Sequence, residues 1–286
     1  MSSIVRRCAL VAIVALPLPA DAQAAGSADV AALQVALRGV GLYGGTVDGV
    51  AGPGTKGGVR RFQVRNGLAA DGVAGATTRR ALGRRGRPSF GSRTIARGDG
   101  GWDVAALQFR LAWRGFPSGT LDGGFGSHVE AAVRRFQARN GLAADGVAGP
   151  ATLRALRRPV PRSPIWLVHP VRAGFGDRFG PRGNRFHTGL DYPARAGALV
   201  TAAGRGRVVF AGWDAGGYGN TVVIEHPRGV RSMYAHLSRI GVGAGRWLTA
   251  GTPVGRVGAT GVATGPHLHF ELRLRGAAID PMTALR

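Results

Sequence analysis

The chain has 286 residues, 44% of them hydrophobic, enough for two or three packed domains. Charge is lopsided, with 38 Lys+Arg against 15 Asp+Glu and a formal net charge of +23. Such a field attracts polyanions, but aromatic residues make up only 7% and are not interleaved with the basic ones, so no nucleic-acid partner is expected.

The opening stretch, "MSSIVRRCALVAIVALPLPADAQAAG", has basic Arg6 and Arg7, an apolar run from Cys8 to Leu16, and small residues in A-x-A spacing at Ala20–Ala22 and Ala22–Ala24. That is the layout of a secretory signal peptide over residues 1–25, and the apolar run is too short to span a bilayer. A secreted, extracellular protein without stable membrane insertion is expected. Cleavage would remove Cys8, the only cysteine. Disulfides and thiolate metal sites are then excluded.

Residues 29–82 and 103–156 align without a gap at an offset of 74, and 33 of the 54 positions are identical. Both copies open on "DVAALQ", carry "RRFQ" in the middle and share "RNGLAADGVAG". Leu33 and Leu37, like Leu107 and Leu111, have helical spacing behind an Asp (Asp29, Asp103) placed to N-cap the first helix. A second helix carries Val59 and Phe62, matched by Val133 and Phe136, and a short third one ends at Leu82 or Leu156. Asp-Gly turns separate them. Each copy reads as a compact three-helix domain, over 26–82 and 100–156. These copies resemble the peptidoglycan-binding domain found beside many cell-wall hydrolases, through "LQ", "GxVDGxxGPGT", "VRRFQ" and "GLAADGVAGxxT". Val129 replaces Thr55 in the second copy, and this substitution is expected to remove a cap from its second helix.

Residues 83–99 and 157–164 are polar, basic and rich in Pro or Gly, and read as linkers. Beyond them, short β-favouring runs such as "RVVFAG", "NTVVIEH", "VRSMYAHL", "PVGRVG" and "HLHFELRL" alternate with Gly-rich turns. Residues 165–286 are therefore expected to form an all-β domain of antiparallel strands. The predicted architecture is multidomain: two small all-α domains followed by an all-β one.

Six of the seven histidines lie in this last domain. "FHTGLDY" sets His187 four residues before Asp191, and Gly189 and Pro193 argue for a loop leading into a strand. "YAHL" supplies His236. "GPHLHFEL" supplies His267 and His269, which strand alternation places on one face. One carboxylate and up to four imidazoles can thus converge, and zinc accepts nitrogen and oxygen ligands of this kind. Tyr218 in "GGYGN" is a candidate substrate contact, with a turn aromatic packed on the sheet as the alternative.

"FHTGLDY", "GYGNTVVIEH", "MYAHLS" and "TGPHLHFEL" together resemble the lysostaphin-type (LytM-like) zinc metallopeptidases, secreted enzymes that cleave the peptides of peptidoglycan. The resemblance implies His187, Asp191 and His269 as zinc ligands, and His236 and His267 as unliganded catalytic histidines. It implies peptidoglycan as partner and substrate, to which the Arg-rich surface adds anionic wall polymers; a monomer is expected. "GALV" at 197–200 stands where G-T-P-V is more usual, and Ala263 where Ser or Thr is common, and neither change removes a ligand. A catalytically inactive activator of another hydrolase is the alternative reading, but such domains usually lose a ligand and all five polar residues are present here. His128, His169 and His226 match no position of the pattern and are assigned to structure or surface.

Overall fold

The computed structural model describes residues 26–286; the expected signal peptide lies outside them. The N-terminal half is helical, with α1 (Ala28–Gly39), α2 (Pro53–Arg65) and α3 (Ala76–Ala81) in the first copy. The second copy repeats them as α4 (Trp102–Trp113), α5 (Ser127–Arg139) and α6 (Pro150–Ala155). Leu33, Leu37, Leu107 and Leu111 are all buried, as their spacing predicts. None of these helices is long and apolar enough to cross a membrane.

The expected caps need correction. Ser27, not Asp29, caps α1 by accepting from the Val30 amide, and Asp29 lies inside the first turn, where its charge suits the helix dipole. Its carboxylate accepts the Trp102 indole N–H of the second copy (3.0 Å). Asp103 is likewise inside α4, fully buried and paired with Arg93 (2.8 Å). Thr55 caps nothing, because the N-cap of α2 is Gly52 and makes no side-chain bond. Val129 therefore costs its helix no length: α2 and α5 both have 13 residues.

Thr55 belongs instead to a cradle centred on a buried glutamine. Gln34 Nε2 donates to Asp48 Oδ1 (2.7 Å) and lies 3.1 Å from Thr55 Oγ1, while Gln34 Oε1 accepts the Gly49 amide (2.9 Å). The same set recurs at Gln63 with Asp71, Gly72 and Thr78, and at Gln137 with Asp145, Gly146 and Thr152. Gln108 keeps Asp122 and Gly123 but meets no hydroxyl, since Val129 fills that place. The glycine after each aspartate has φ between +75° and +78°, a conformation that a side chain disfavours. The most recognisable residues of the repeats are thus explained by folding alone.

The segment 83–99, polar in sequence, is packed onto the second copy. Ile95 is fully buried and bridges to Ala148. The helices α1 and α4 face each other and bury one shared apolar cluster that includes Trp102, Phe109 and Trp113.

The C-terminal half is all β. Its strands are β1 (Gly180–Arg182), β2 (Arg185–His187), β3 (Leu190–Pro193), β4 (Leu199–Thr201), β5 (Gly206–Asp214) and β6 (Gly219–His226). They continue as β7 (Val230–Ala235), β8 (Leu237–Ile240), β9 (Trp247–Leu248), β10 (Pro253–Val257), β11 (His267–Leu274) and β12 (Ala277–Ile279). The main antiparallel sheet runs β12-β11-β7-β6-β5-β9, with β3 also paired to β11; β4-β10-β8 form a second sheet and β1-β2 a hairpin. Leu268, Phe270 and Leu272 of β11 enter the core beside Tyr192, Tyr234 and Ile224. The alternate residues of β11 are left for the opposite face.

The cradles predict unequal costs. Gln63→Ala orphans the buried Gly72 amide and Thr78 hydroxyl and should destabilise the helical pair by about 1–3 kcal/mol. Gln108→Ala should cost less, because no hydroxyl is stranded at Val129. Thermal unfolding followed by circular dichroism checks the order.

Candidate active site

Three donors converge where β2, β3 and β11 meet. His187 ends β2, Asp191 lies in β3, and the β3–β11 register sets Asp191 directly opposite His269. Asp191 Oδ1 lies 2.8 Å from His269 Nδ1 and 3.2 Å from His187 Nε2, and the two ring nitrogens are 3.1 Å apart. Between β2 and β3 the chain turns at Gly189. A Cβ there would fall 2.7 Å from His269 Cε1 and 2.7 Å from the Phe270 carbonyl oxygen, so only glycine lets the strands approach. Donors bound tetrahedrally to one zinc ion at about 2.0–2.1 Å stand roughly 3.3 Å apart. The observed spacings fit that requirement closely, and the set of two imidazoles and a carboxylate suits the same ion.

Each imidazole is oriented by its other nitrogen. His187 Nδ1 donates to the Arg178 carbonyl (3.0 Å), which bares Nε2 toward Asp191. His269 is reversed: its Nε2 faces Glu271 Oε1 (3.2 Å), which turns Nδ1 toward Asp191. Glu271 was not singled out from the sequence. It is fully buried and also accepts from Thr188 Oγ1 (2.6 Å), Tyr218 Oη (2.7 Å) and Arg273 Nε (2.7 Å). Burial opposes its charge, but the hydrogen bond from His269 and the Arg273 guanidinium outweigh it and hold the carboxyl down at about 2. Burial likewise opposes a charged His269, yet Asp191 and Glu271 on either side raise it to about 9. Burial opposes a charged Asp191, but the facing His187 and His269 imidazoles outweigh it and drive the carboxyl well below the usual range. The signal for Glu271 was available: His267, His269, Glu271 and Arg273 share one strand parity.

His236 and His267 stand beside this cluster. His236 falls at the break between β7 and β8 rather than within a strand, with φ +61°, a conformation rare outside glycine and found where a site dictates the backbone. Its Nδ1 donates to the Thr260 carbonyl (2.7 Å), and that of His267 to the Gly265 carbonyl (2.9 Å). Both therefore keep a bare Nε2. Their rings lie 4.8 Å apart, and His267 Nε2 is 3.9 Å from Asp191 Oδ1. Burial, with the neighbouring imidazoles, pushes His236 below the ordinary histidine value. All five residues line one open groove of about 840 Å³, walled by Arg182 and Phe186 on the hairpin and by Tyr218, Val262 and Pro266 on the facing loops. Tyr218 lines the groove, but its hydroxyl is committed to Glu271 and its ring tilts over His269 at 5.7 Å.

The other histidines stay outside. His169 bonds Tyr192 Oη (2.8 Å), His226 is buried against Ser232 and the Arg205 carbonyl, and His128 is exposed on α5.

Residues 185–281 match Peptidase family M23. The C-terminal domain belongs to that family. Residues 26–82 and 100–156 each match the putative peptidoglycan binding domain. Over 115 residues the chain is 43% identical to the DD-carboxypeptidase/endopeptidase Mpg of Neisseria meningitidis serogroup B, covering 40% of this chain and 26% of that protein. It is 36% identical over 128 residues to lysostaphin of Staphylococcus staphylolyticus, covering 42% of this chain and 26% of that one. The chain thus spans about a quarter of the length of these relatives. The solved catalytic domain of the antimicrobial peptidase lysostaphin from Staphylococcus simulans is 35% identical, with 38% of this chain and 90% of that one covered and a TM-score of 0.37.

Glu271→Gln keeps the shape of the site and removes its buried charge. Divalent-metal affinity, measured by chelator competition, should fall about 10–100-fold, as is usual when the partner behind a ligating histidine is changed.

Proposed function

We propose that the chain is a secreted zinc-dependent endopeptidase that hydrolyses peptide bonds in peptidoglycan stems or cross-bridges, acts as a monomer, and is brought to the wall by its two N-terminal domains. One observation carries the reading: two imidazoles with bare Nε2 atoms share a groove with a three-donor cluster of zinc-like spacing. In this reading His187, Asp191 and His269 hold the ion. A bound zinc ion would supply Lewis acidity, polarising the scissile carbonyl and lowering the pKa of a water to about 7.

The remaining steps belong to the chain. His267, whose Nε2 faces the donor cluster, takes the proton of the attacking water. It returns that proton to the departing amine as the C–N bond breaks. His236, with Nδ1 fixed on Thr260, is the second charge-stabilising group at the carbonyl oxygen. The open groove accommodates an extended peptide, and Arg182 and Phe186 form one wall of it.

For the helical domains the family match supports wall binding. The glutamine cradles occupy the recognisable motif residues, so contact with polymer falls to exposed side chains such as Val50, Val64 and Val73 and to the arginines. Two linked weak binders raise the local concentration at an insoluble polymer.

Two measurements test this. Elemental analysis should find one zinc per chain, lost in His187→Ala and His269→Ala but kept in His236→Ala and His267→Ala. The latter two should lower wall lysis about 10²–10⁴-fold, the usual worth of a proton-transferring group; normal turnover in either removes its assigned role. Separately, sedimentation of the full chain with insoluble walls should weaken as salt rises, because exposed charges are screened over about 8 Å at physiological ionic strength.

A further inference from the structure

The β1–β2 hairpin that carries His187 is held by the helical domains. At its tip the Gly183 carbonyl accepts the Val47 amide (2.8 Å) and the Asn184 carbonyl accepts the Leu121 amide (2.7 Å). Val47 and Leu121 are the same position of the two copies, at the offset of 74. Each copy therefore gives one equivalent backbone donor to adjacent carbonyls of a single turn. Below the tip, Phe179 and Phe186 enter the apolar cluster that α1 and α4 share. Trp113 of α4 meets Phe186 edge-on at 5.4 Å and Phe179 at 6.0 Å, and the two phenyl rings meet at 5.0 Å.

Both plugs adjoin the metal cluster in sequence. Phe186 precedes His187, and Phe179 follows Arg178, whose carbonyl fixes the His187 ring. We infer that Trp113 is a positioning residue of the metal site: the wall-binding domains brace the strand and the hydrogen-bond acceptor that orient His187, so metal affinity depends on them. The inference rests on the zinc reading above. Ligands held off their productive geometry bind metal more weakly, which is why groups behind the ligands matter.

The full chain tests this through zinc affinity, read by chelator competition, with folding followed by circular dichroism. The Trp113 indole N–H makes no hydrogen bond among the described residues, so Trp113→Leu removes packing alone. Trp113→Leu and Phe186→Leu should weaken zinc binding about tenfold, in the range seen for groups that orient ligands. Trp113→Phe, which keeps an aromatic edge, should largely restore it. Phe136→Leu is the control, since Phe136 is buried in the other core of the second copy and meets Phe116 edge-on instead of the hairpin. It should lower thermal stability and leave zinc affinity unchanged. Should Trp113→Leu fail to fold, Phe186→Leu and Trp113→Phe carry the comparison. Wild-type zinc affinity in Phe186→Leu or in a folded Trp113→Leu, or an equal loss in Phe136→Leu, overturns the brace. A wild-type chain that takes up no zinc overturns the zinc reading itself, and the brace with it.

Discussion

The pairing of β3 with β11 places Asp191 opposite His269, and the rest of the site is arranged around that register. Because side chains alternate along a strand, a slip of β3 by one residue would set Asp191 opposite Leu268 or Phe270 on the core face and turn Leu190 and Tyr192 out to the groove. The slip is opposed from the other face, where Leu190, Tyr192, Leu268 and Phe270 are all fully buried. Core packing and site chemistry are thus two faces of one constraint. Gly189 completes it by letting the turn close against the His269 ring.

Burying an acidic and imidazole cluster is expensive unless every group is paired. Glu271 shows how the chain meets that cost, with four partners from three segments: Thr188 after β2, Tyr218 before β6, and His269 and Arg273 on β11. Other acidic residues are similarly committed: Asp48, Asp71, Asp122 and Asp145 to the glutamine cradles, and Asp99 and Asp103 to Arg93. Fifteen acidic residues in all, however they are paired, cannot offset 38 basic ones. The positive field is therefore largely a surface property, available to an anionic polymer.

Much of this was legible in the sequence because the signals are local. Helical spacing in the repeats and strand alternation around His267 and His269 fix which residues share a face, and the structure brings His187, Asp191, His236, His267 and His269 into one groove. The misplaced caps had a different origin: Ser27 and Asp29 both stand near the start of α1, and which one caps depends on where the first turn closes. Strands β1 to β4 hold three or four residues each, several of them Gly, Pro or Arg, too few to show a period. Glu271 shares the parity of the histidines, yet a charged strand residue ordinarily faces water, and only the packing of Tyr218 and Thr188 over it makes it internal.

The joining of helical and β halves left no local signature at all. Linker composition in 157–164 suggests independent domains, but further contacts unite them, where the hairpin meets both copies and the turn after α4 meets β12. At Gly115, φ +83°, a Cβ would stand 2.2 Å from the Ala278 carbonyl oxygen, so the turn after α4 and β12 touch backbone to backbone. Such a contact needs a glycine, but turns supply glycines for many reasons, and nothing nearby in sequence names the partner. The duplication acquires a physical rationale at the same place. A β-turn tip presents two carbonyls that strand pairing cannot satisfy, and one domain offers one donor at the required position. Two copies of the same domain, packed through α1 and α4, offer two, and the hairpin that ends in His187 fits between them.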